Sequence, residues 1–241
     1  LKKRNIECFI VEKGHELGNG ASGNLVAFQI PKLTLDDSIY GIFSLRSYLY
    51  SRNLAINLDS VPISNGVIIF PNRDRENKKF EELLNFKWPY ELFHNYKSVE
   101  FQNFKNLHLF PNSGIVETKN FLKNLSKSVK LINNFEVKKI DHFKNEKILY
   151  NTVGNSISAK TVIWANGYEV KNELLKKICI PTSGQVTYIK KDTNFVKQKL
   201  NYSYGNFFSQ EFNDLHQIGS TFSKDLNKNE NYNNKLNIRN I

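Results

Sequence analysis

The stretch IECFIVE at residues 6–12 is followed by GASGN at residues 20–24 and by PKL at residues 31–33. An apolar run that ends in an acid predicts a buried parallel strand with Glu12 at its carboxyl end. In a dinucleotide-binding unit, an acid at that place accepts hydrogen bonds from the ribose hydroxyls of the nucleotide. The opening of the chain therefore predicts such a unit, with Glu12 as the ribose-binding residue.

The Gly-rich phosphate-binding turn of such a unit lies about twenty residues before the acid. Only eleven residues precede Glu12, the first residue is Leu1, and the sequence contains no Met. We therefore expect a fragment that begins after the phosphate-binding turn. The stretch LKKRN at residues 1–5 reads as the last turn of the helix that follows that turn, and Asn5 suits the left-handed position that closes a helix.

Composition sets broad limits on the protein. The chain has 241 residues, 40% of them hydrophobic, which is enough for a core. The net charge of +11 would attract nucleic acid, acidic metabolites or anionic lipid, but an AT-rich genome, indicated by the abundance of Lys and Asn, explains the surplus of Lys equally well. No Cys-x-x-Cys motif, His/Cys cluster or long apolar run is present, so we expect neither a metal site nor a membrane span. The isolated histidines indicate surface or structural roles.

Periodicity predicts most of the secondary structure. Helices are expected over 35–56, 74–84 and 117–125, the first with Asp36, Asp37 and Ser38 as N-cap candidates. After Pro181 the pattern becomes that of an antiparallel sheet. The polar tail from residue 224 is either a surface loop or the start of a helix. Strands are expected at 67–70, 129–132, 135–140, 147–150, 156–158, 161–165, 185–189, 204–208 and 216–222.

The predicted strand at 161–165 ends in Asn166 and Gly167. A buried parallel strand that ends in a small residue and Gly lets a cofactor approach the backbone closely. An ordinary glycine between a strand and a loop gives the same pattern, so this motif leaves both interpretations open.

The order of these motifs resembles one family, the MnmC family of bifunctional tRNA wobble-uridine modification proteins, in its FAD-dependent oxidoreductase domain. That domain is one of the D-amino-acid-oxidase-like flavoproteins. The resemblance implies an α/β fold in which an FAD-binding Rossmann-like domain is interleaved with an antiparallel-sheet substrate domain. The motifs that carry it are the acid-ended strand, ASGN at 21–24 with PKL, FPNSGIV at 110–116, VIWANG at 162–167, SGQV at 183–186 and IGSTF at 218–222.

The resemblance also implies domain boundaries. The FAD-binding domain comprises residues 1–59, without its first strand and glycine fingerprint, and residues 113–178. The substrate domain comprises residues 60–112 and 179–222. The polar segment 223–241 leads to a missing C-terminal flavin-binding part.

The implied reaction is oxidation of 5-carboxymethylaminomethyl-uridine at the wobble position of tRNA. Hydride passes from the carbon beside the amine to FAD, which converts the amine into an imine. Hydrolysis of the imine then releases glyoxylate and gives 5-aminomethyluridine. No side chain need act as a strong base, so no catalytic residue is assigned. The implied setting is the cytoplasm, with tRNA as partner and a methyltransferase domain fused or associated.

Site residues follow from the same resemblance. Glu12 would bind the adenosine ribose, and Val137 would pack at the adenine. Gly184 and Gln185 would lie on the substrate-side sheet. The loop against the pyrophosphate and flavin ring would be Ala21, Ser22, Gly23 and Asn24; the passage of the cofactor would be lined by Ala165, Asn166 and Gly167; the further candidates for the substrate wall are Tyr204 and Phe207. One departure is LVAF at residues 25–28, where many members have a polar or small residue and a glycine.

Two other functions stay open. An oxidase of free glycine, sarcosine or a D-amino acid would need an Arg for the substrate carboxylate, and the candidates fall mostly on predicted helix surfaces. A non-catalytic RNA-binding module would use the aromatic stretch 86–97 to stack bases, although such a stretch more often packs inward. Glu12 together with Ser22, Gly23 and Asn24 favours a cofactor site. The arginines in question are Arg46, Arg52, Arg73 and Arg75.

Overall fold

The computed structural model describes residues 4–60, 66–167, 178, 180–191, 201–222 and 230–238. The chain forms two compact units. Unit 1 comprises Leu1–Gly23 and Leu122–Pro181, and unit 2 comprises Asn24–Phe121 and Thr182–Ile241. Each unit thus draws on two separate stretches of sequence, as an interleaved fold requires. The predicted domains are defined by the ligand they bind rather than by compactness, so their boundaries stay a prediction.

A parallel strand pair forms the first part of unit 1. Strand β1 (Phe9–Val11) pairs with β7 (Lys130–Ile132), with Phe9 opposite Lys130. The ladder continues past β1, because the Glu12 N–H donates to the Ile132 carbonyl at 2.9 Å. Before β1, Asn5 has a φ of 54°, the left-handed conformation predicted for it.

An antiparallel meander forms the second part of unit 1. It consists of β8 (Val137–Phe143), β9 (Glu146–Asn151) and β10 (Ser156–Ala159), close to the predicted strands. Leu149, 5% exposed, lies opposite both Ile140 and Ile157, so apolar side chains meet at the centre of one face of the meander. Gly154, with a φ of 89°, turns the chain between β9 and β10.

The predicted buried strand at 161–165 is wrong. This run pairs with no strand in the described part of the chain, and Ile163 and Trp164 are 69% and 54% exposed. An apolar run becomes a parallel strand only where a neighbouring backbone lies alongside it. The sequence pattern reports the hydrophobicity of the run but not the presence of that neighbour.

Unit 2 contains a seven-stranded sheet, here called the large sheet. Its spatial order is β11-β14-β13-β12-β3-β5-β4. Neighbours are antiparallel except β12 and β3, which are parallel and join the two sequence stretches of the unit. The strands are β3 (Val67–Ile69), β4 (His94–Tyr96), β5 (Leu107–Phe110), β11 (Val186–Lys190), β12 (Asn201–Tyr204), β13 (Asn206–Phe208) and β14 (Leu215–Gly219).

The single strand predicted at 204–208 is also wrong. Residues 201–208 form the hairpin of β12 and β13, in which Tyr204 lies opposite Asn206. Gly205 makes the turn with a φ of 78°, a conformation that side chains disfavour. A glycine inside a strand pattern thus marked a reversal of the chain rather than a continuous strand.

The core of unit 2 covers both faces of the large sheet. Successive strand residues point to opposite faces, so Val67 and Ile69 lie on one face and Ile68 on the other. Helix α2 (Asp74–Leu84) spans the predicted range and contributes Leu83, which is fully buried, to the first face. The buried cluster on that face consists of Leu33, Val67, Ile69, Leu83, Phe93 and Phe110, and the cluster on the other face of Ile68, Phe70 and Leu107.

Three further α-helices and a strand pair lie in the described ranges, besides short 3-10 turns. Helix α1 (Ile39–Asn57) begins four residues after the start of its predicted range, and its N-cap is the candidate Ser38, whose Oγ accepts a hydrogen bond from the Gly41 N–H at 3.2 Å. Strands β2 (Val26–Gln29) and β6 (Gly114–Glu117) form a separate antiparallel pair. Helix α3 (Thr118–Ser126) lies within two residues of its prediction, and α4 (Glu230–Ile238) supports the helical reading of the tail. No helix in the described ranges is long and apolar enough to cross a membrane.

Candidate cofactor and substrate site

Glu12 lies directly after β1 and keeps its carboxylate at the strand end. Its Oε1 accepts a hydrogen bond from the Gly14 N–H at 2.8 Å, and its backbone carbonyl accepts one from the Phe135 N–H at 3.0 Å. These bonds fix the backbone and the side chain of Glu12 together. A carboxylate has about four acceptor positions, so Glu12 retains the capacity to bind ribose hydroxyls.

In the loop at residues 18–23, the backbone of Gly23 packs directly against the backbone of Gly18 and Gly20. A Cβ on Gly23 would lie 2.3 Å from the Gly18 carbonyl oxygen, and the Gly23 N–H donates to the Gly20 carbonyl at 2.9 Å. Gly18 itself has a φ of 89°. At Gly20, in contrast, a Cβ would meet nothing within 4 Å. The fold of the loop therefore requires glycine at 18 and 23 but not at 20.

The same loop fits a ligand with an anionic group. Ala21, Ser22 and Gly23 form one 3-10 turn, and all of them are exposed. Their small side chains leave the backbone accessible, and exposed N–H groups of a tight turn are suited to phosphate oxygens. These residues and the Glu12 carboxylate are the features of unit 1 that fit a dinucleotide.

The remaining cofactor candidates of unit 1 lie in β8 and in the segment after β10. Val137 is the first residue of β8 and lies opposite Asn151, next to a shift in the ladder register. Ala165, Asn166 and Gly167 are exposed, and Gly167 has a φ of 62° with open space around its Cβ position. Their predicted roles stay predictions.

Asn24 belongs to unit 2, although the sequence places it in the same loop as Ala21 to Gly23. Its carbonyl accepts a hydrogen bond from the Thr118 Oγ1 at the start of α3. The next backbone N–H groups are bound from the large sheet: Leu25 donates to the Tyr188 Oη at 3.1 Å, and Val26 donates to the Gln217 Oε1 at 3.2 Å. Sequence analysis did not identify Thr118, Tyr188 or Gln217.

Gly184 and Gln185 precede β11 and are bound to the chain after β14. The Gln185 N–H donates to the Thr221 Oγ1 at 3.3 Å, and its carbonyl accepts from the Thr221 N–H at 3.1 Å. The Gln185 side chain donates through Nε2 to the Asn234 Oδ1 at 2.7 Å. This bond uses one of the two N–H donors of the amide, and the substrate-binding role of Gln185 stays a prediction.

The two aromatic candidates for the substrate wall lie in different surroundings. Tyr204 is 42% exposed at the end of β12. Phe207 lies in β13 and packs on Phe28 with ring centroids 4.7 Å apart, beside the core cluster. Tyr204 is accessible to a ligand, whereas Phe207 has a packing role in addition to its predicted one.

A polar network joins α4 to the large sheet. Asn237 is fully buried, and its Nδ2 donates to the Gln185 carbonyl at 2.9 Å and to the Thr187 Oγ1 at 3.0 Å. Thr187 in turn donates to the Asn234 Oδ1 at 2.8 Å. Residues three apart share one face of a helix, and this Asn spacing was the available sequence signal. The spacing was missed because the tail contains too few apolar residues to show a helical pattern.

The buried histidines are structural, as predicted. His108 is 1% exposed, and its ring stacks on Phe80 and Phe93 at centroid distances of 4.9 and 5.6 Å. Among the residues that the structure describes, neither of its ring nitrogens has a hydrogen-bond partner. Burial lowers the pKa of His108 to about 4, so the ring is neutral at pH 7. His216 Nδ1 lies 2.9 Å from the Ser209 carbonyl.

The residues for the two alternative functions are also placed. Arg46, Arg73 and Arg75 are exposed, and the Arg52 Nε donates to the Asn112 carbonyl at 3.1 Å. The described strands of the large sheet contain no Arg. In the aromatic stretch, Phe93 is buried and Tyr90 stacks on His94 at 3.6 Å. Within the described ranges, no group of three or more His, Cys, Asp and Glu residues could hold a metal ion.

Comparison with known sequences finds relatives in one protein group. No family model matches the chain. The "tRNA 5-methylaminomethyl-2-thiouridine biosynthesis bifunctional protein MnmC" of Legionella pneumophila strain Lens is 26% identical over 237 residues, which cover 92% of this chain and 35% of that protein. The chain is a relative of the MnmC proteins. The MnmC of a Marinomonas strain is 33% identical over 90 residues, 36% of this chain and 13% of that protein. The resemblance inferred from the motif order is confirmed, and the chain spans about a third of the length of its Legionella relatives.

Solved structures share the fold. Glycine oxidase from Bacillus cereus aligns with a TM-score of 0.76 at 15% identity, over 99% of this chain and 71% of that protein. L-proline dehydrogenase from P. horikoshii has a TM-score of 0.71 at 17% identity, over 99% and 71% of the respective chains. Likeness at such identities establishes the fold alone. The predicted α/β architecture of the D-amino-acid-oxidase type is thereby confirmed.

Proposed function

We propose that this chain binds FAD and oxidises the secondary amine of 5-carboxymethylaminomethyl-uridine at the wobble position of tRNA, leaving 5-aminomethyluridine and glyoxylate. The observation that supports this most directly is the likeness to MnmC over 92% of the chain. That relative is named for tRNA 5-methylaminomethyl-2-thiouridine biosynthesis. The proposed product is a uridine that carries an aminomethyl group at the same position.

In unit 1 the proposed roles are those of cofactor binding. Glu12 binds the adenosine ribose, and the turn at Ala21–Gly23 lies against the pyrophosphate through its backbone. Val137 packs at the adenine, and the passage of the cofactor is lined by Ala165, Asn166 and Gly167. Bound FAD would accept the hydrogen and electron pair of the C–H bond beside the substrate amine.

In unit 2 the proposed roles are those of substrate binding. Gly184 and Gln185 lie on the substrate side of the large sheet. Tyr204 and Phe207 are separate candidates for the substrate wall, because the hairpin register, with Tyr204 opposite Asn206 and Phe207 opposite Ser203, places them on opposite faces of the sheet. The neutral amine of the substrate needs no strong base, so the side chains bind, orient and exclude water. We assign no catalytic acid or base among them.

The partners follow from the substrate. A tRNA is held largely by phosphate contacts from Lys and Arg, and the net charge of +11 supports this. A cytoplasmic location and a methyltransferase domain, fused or associated, belong to the same proposal. Neither a metal ion nor a membrane has a part in it.

The first test is the visible absorption spectrum of the protein expressed from its complete gene, as purified and after addition of FAD. We expect a bound oxidised flavin that bleaches anaerobically with tRNA carrying 5-carboxymethylaminomethyl-uridine. Glycine and D-alanine should leave it oxidised. Absence of a flavin spectrum with excess FAD would contradict the proposal.

A matched pair of glycine variants tests the cofactor loop. Gly23→Ala forces a Cβ to within 2.3 Å of a backbone oxygen, whereas the Cβ of Gly20→Ala meets nothing within 4 Å. We expect Gly23→Ala to weaken FAD binding at least tenfold in a titration and Gly20→Ala to change it less than about twofold. Equal FAD affinities of the two variants would show that the loop does not contact the cofactor.

The main alternative is oxidation of a free amino acid on the same fold. The titles of the glycine oxidase and L-proline dehydrogenase structures raise it. A carboxylate substrate calls for a bidentate Arg, and the described strands of the large sheet carry none. Bleaching of the flavin by glycine or D-alanine, but not by tRNA, would favour this alternative.

A non-catalytic RNA-binding module is the second alternative. Its base-stacking stretch at residues 86–97 has Phe93 buried, and Trp88 packs against the same core cluster. Stacking on RNA would require these rings to leave the core. Retention of tRNA by a protein that never binds FAD would favour it.

A further inference from the structure

The chain leaving the proposed cofactor loop is held by side chains rather than by a backbone ladder. The carbonyl of Asn24 accepts from Thr118, the N–H of Leu25 donates to the Tyr188 Oη, and the N–H of Val26 donates to the Gln217 Oε1. The ladder of β2 with β6 starts only at Val26, opposite Glu117. Side-chain hydrogen bonds therefore hold Asn24 and Leu25, which precede the ladder, and add to the strand pairing at Val26.

Tyr188 and Gln217 act as one pair on the large sheet. They lie directly opposite each other on β11 and β14, so both side chains leave the sheet on the same face. They bind the N–H groups of two consecutive residues that lie 163 and 191 positions away in sequence. Donors that are adjacent in the chain thus meet acceptors that are adjacent in the sheet.

Gln217 is itself rigidly held. It is 6% exposed, its N–H donates to the Ser209 Oγ at 2.8 Å, and its carbonyl accepts from the Ser209 N–H at 2.9 Å. A buried N–H without a partner is destabilising, so the N–H of Val26, a residue that is 1% exposed, favours the position in which it reaches this acceptor. The position of Val26 on the sheet is therefore well defined.

We propose that Tyr188 and Gln217 are positioning residues, which fix Asn24 relative to the strands that carry the proposed substrate residues. This rests on the proposed function, in which Asn24 contacts the cofactor. Asn24 is the member of the proposed cofactor loop that lies in unit 2, and Gly184 and Gln185 directly precede β11, the strand of Tyr188. The pair thereby sets the place of a cofactor contact on the substrate sheet.

Two variants test the pair in the protein expressed from its complete gene. Tyr188→Phe removes the acceptor of Leu25 and keeps the ring, and Gln217→Leu removes the acceptor of Val26 at similar volume. Gln217→Glu keeps an acceptor oxygen and should restore part of the loss. Tyr50→Phe, 71% exposed on α1, is the control for loss of a tyrosine hydroxyl.

We expect faster hydrogen exchange at Leu25 in Tyr188→Phe and at Val26 in Gln217→Leu, with Tyr50→Phe unchanged. We also expect the dissociation constant for FAD to rise about threefold to tenfold in both variants, with a shifted flavin absorption maximum. The turnover number should fall more than KM changes, because substrate contacts are intact. Gln217→Glu should recover FAD affinity toward that of the wild type.

The contrary outcomes are distinct. Unchanged exchange would show that the side chains do not hold the segment. Faster exchange with unchanged FAD affinity and spectrum would show that the anchorage is purely structural. Either result overturns the positioning role while leaving the proposed function in place. A wild-type protein that binds no FAD instead overturns the proposed function, and the positioning role with it.

Discussion

The two ends of the large sheet are built from different chemistry. Around β3 and β5, most buried positions are apolar, with Val67, Ile68 and Leu83 all fully buried and His108 as a buried polar exception. Around β11 and β14, Thr187 and Gln217 are nearly as buried, at 8% and 6% exposed, but each is hydrogen-bonded to another element. One sheet thus has an apolar end and a hydrogen-bonded end.

The comparison indicates that the apolar end of the sheet mainly provides stability, whereas the hydrogen-bonded end mainly specifies the positions of neighbouring segments. Apolar burial is non-directional and scales with the area removed from water, so it stabilises the sheet without selecting one exact position for its neighbours. Hydrogen bonds depend on distance and angle, so they specify where Asn24, Val26 and α4 lie. The proposed substrate residues Gly184 and Gln185 belong to the end where position is specified.

The largest effect is expected at the apolar end. Leu83→Ala should lower the free energy of unfolding by about 3 kcal/mol, because it leaves a cavity in the buried cluster between α2 and the first face of the large sheet. Ile39→Ala, at a site that is 89% exposed, should change it by less than about 0.5 kcal/mol. Urea unfolding measures both. Comparable losses in the two variants would mean that the apolar end is not the main source of stability.

His108 provides a pH-dependent test at the same end. Its pKa falls from 6.5 to about 4 on folding, so the unfolded chain binds the extra proton between these values. The contribution of His108 is therefore fully present above about pH 6.5 and is lost as the pH falls toward 4. Lowering the pH from 7 to 5 should remove about 2 kcal/mol.

The matched variant is His108→Phe, which keeps a ring between Phe80 and Phe93. Urea unfolding at pH 7 and pH 5 should show a smaller loss in this variant than in the wild type. The difference between the two proteins isolates His108 from other titrating groups. The same pH dependence in both would place the protonation elsewhere.

Asn237→Ala should have a smaller effect, at the hydrogen-bonded end. It removes the donor to the Gln185 carbonyl and to Thr187, at a cost of about 1–2 kcal/mol in unfolding free energy. Faster hydrogen exchange along α4 should accompany it. Lys235→Ala, exposed on the same helix, is the control. No change in α4 exchange would indicate that the network does not hold the helix.

The smallest effect on stability is expected for Tyr204→Phe, between the two ends. Tyr204 is 42% exposed, so the free energy of unfolding should change by less than about 0.5 kcal/mol. If Tyr204 lines the proposed substrate wall, KM for modified tRNA should rise. An unchanged KM would restrict substrate contacts to other residues.

The sequence predicted local structure where local rules apply. The helix over 74–84, the Ser38 cap and the left-handed Asn5 depend on residues within about one turn of the chain, and each is observed. The strand at 161–165 and the continuous strand at 204–208 failed. A strand needs a partner that is distant in sequence, and a hairpin turn needs one backbone conformation at Gly205.

The site shows the same division. Glu12 and Gly23 follow from a strand end and a tight loop, so their places could be predicted from the residues around them, whereas Gly18 was identified only by its φ of 89°. Tyr188, Gln217 and Asn237 could not, because their partners lie more than fifty positions away or in an apparently featureless tail, as with the 52 positions between Gln185 and Asn237.

By itself, the sequence determined the acid-ended strand, the tight glycine loop, the amphipathic helices and the motif order that relates the chain to MnmC. These properties depend on side-chain type and on short spacing along the backbone. Only the tertiary structure decided which strands pair, where the chain reverses at Gly205, and which side chains bind Leu25 and Val26. Directional contacts between distant residues exist only once the chain is folded, so no local pattern encodes them.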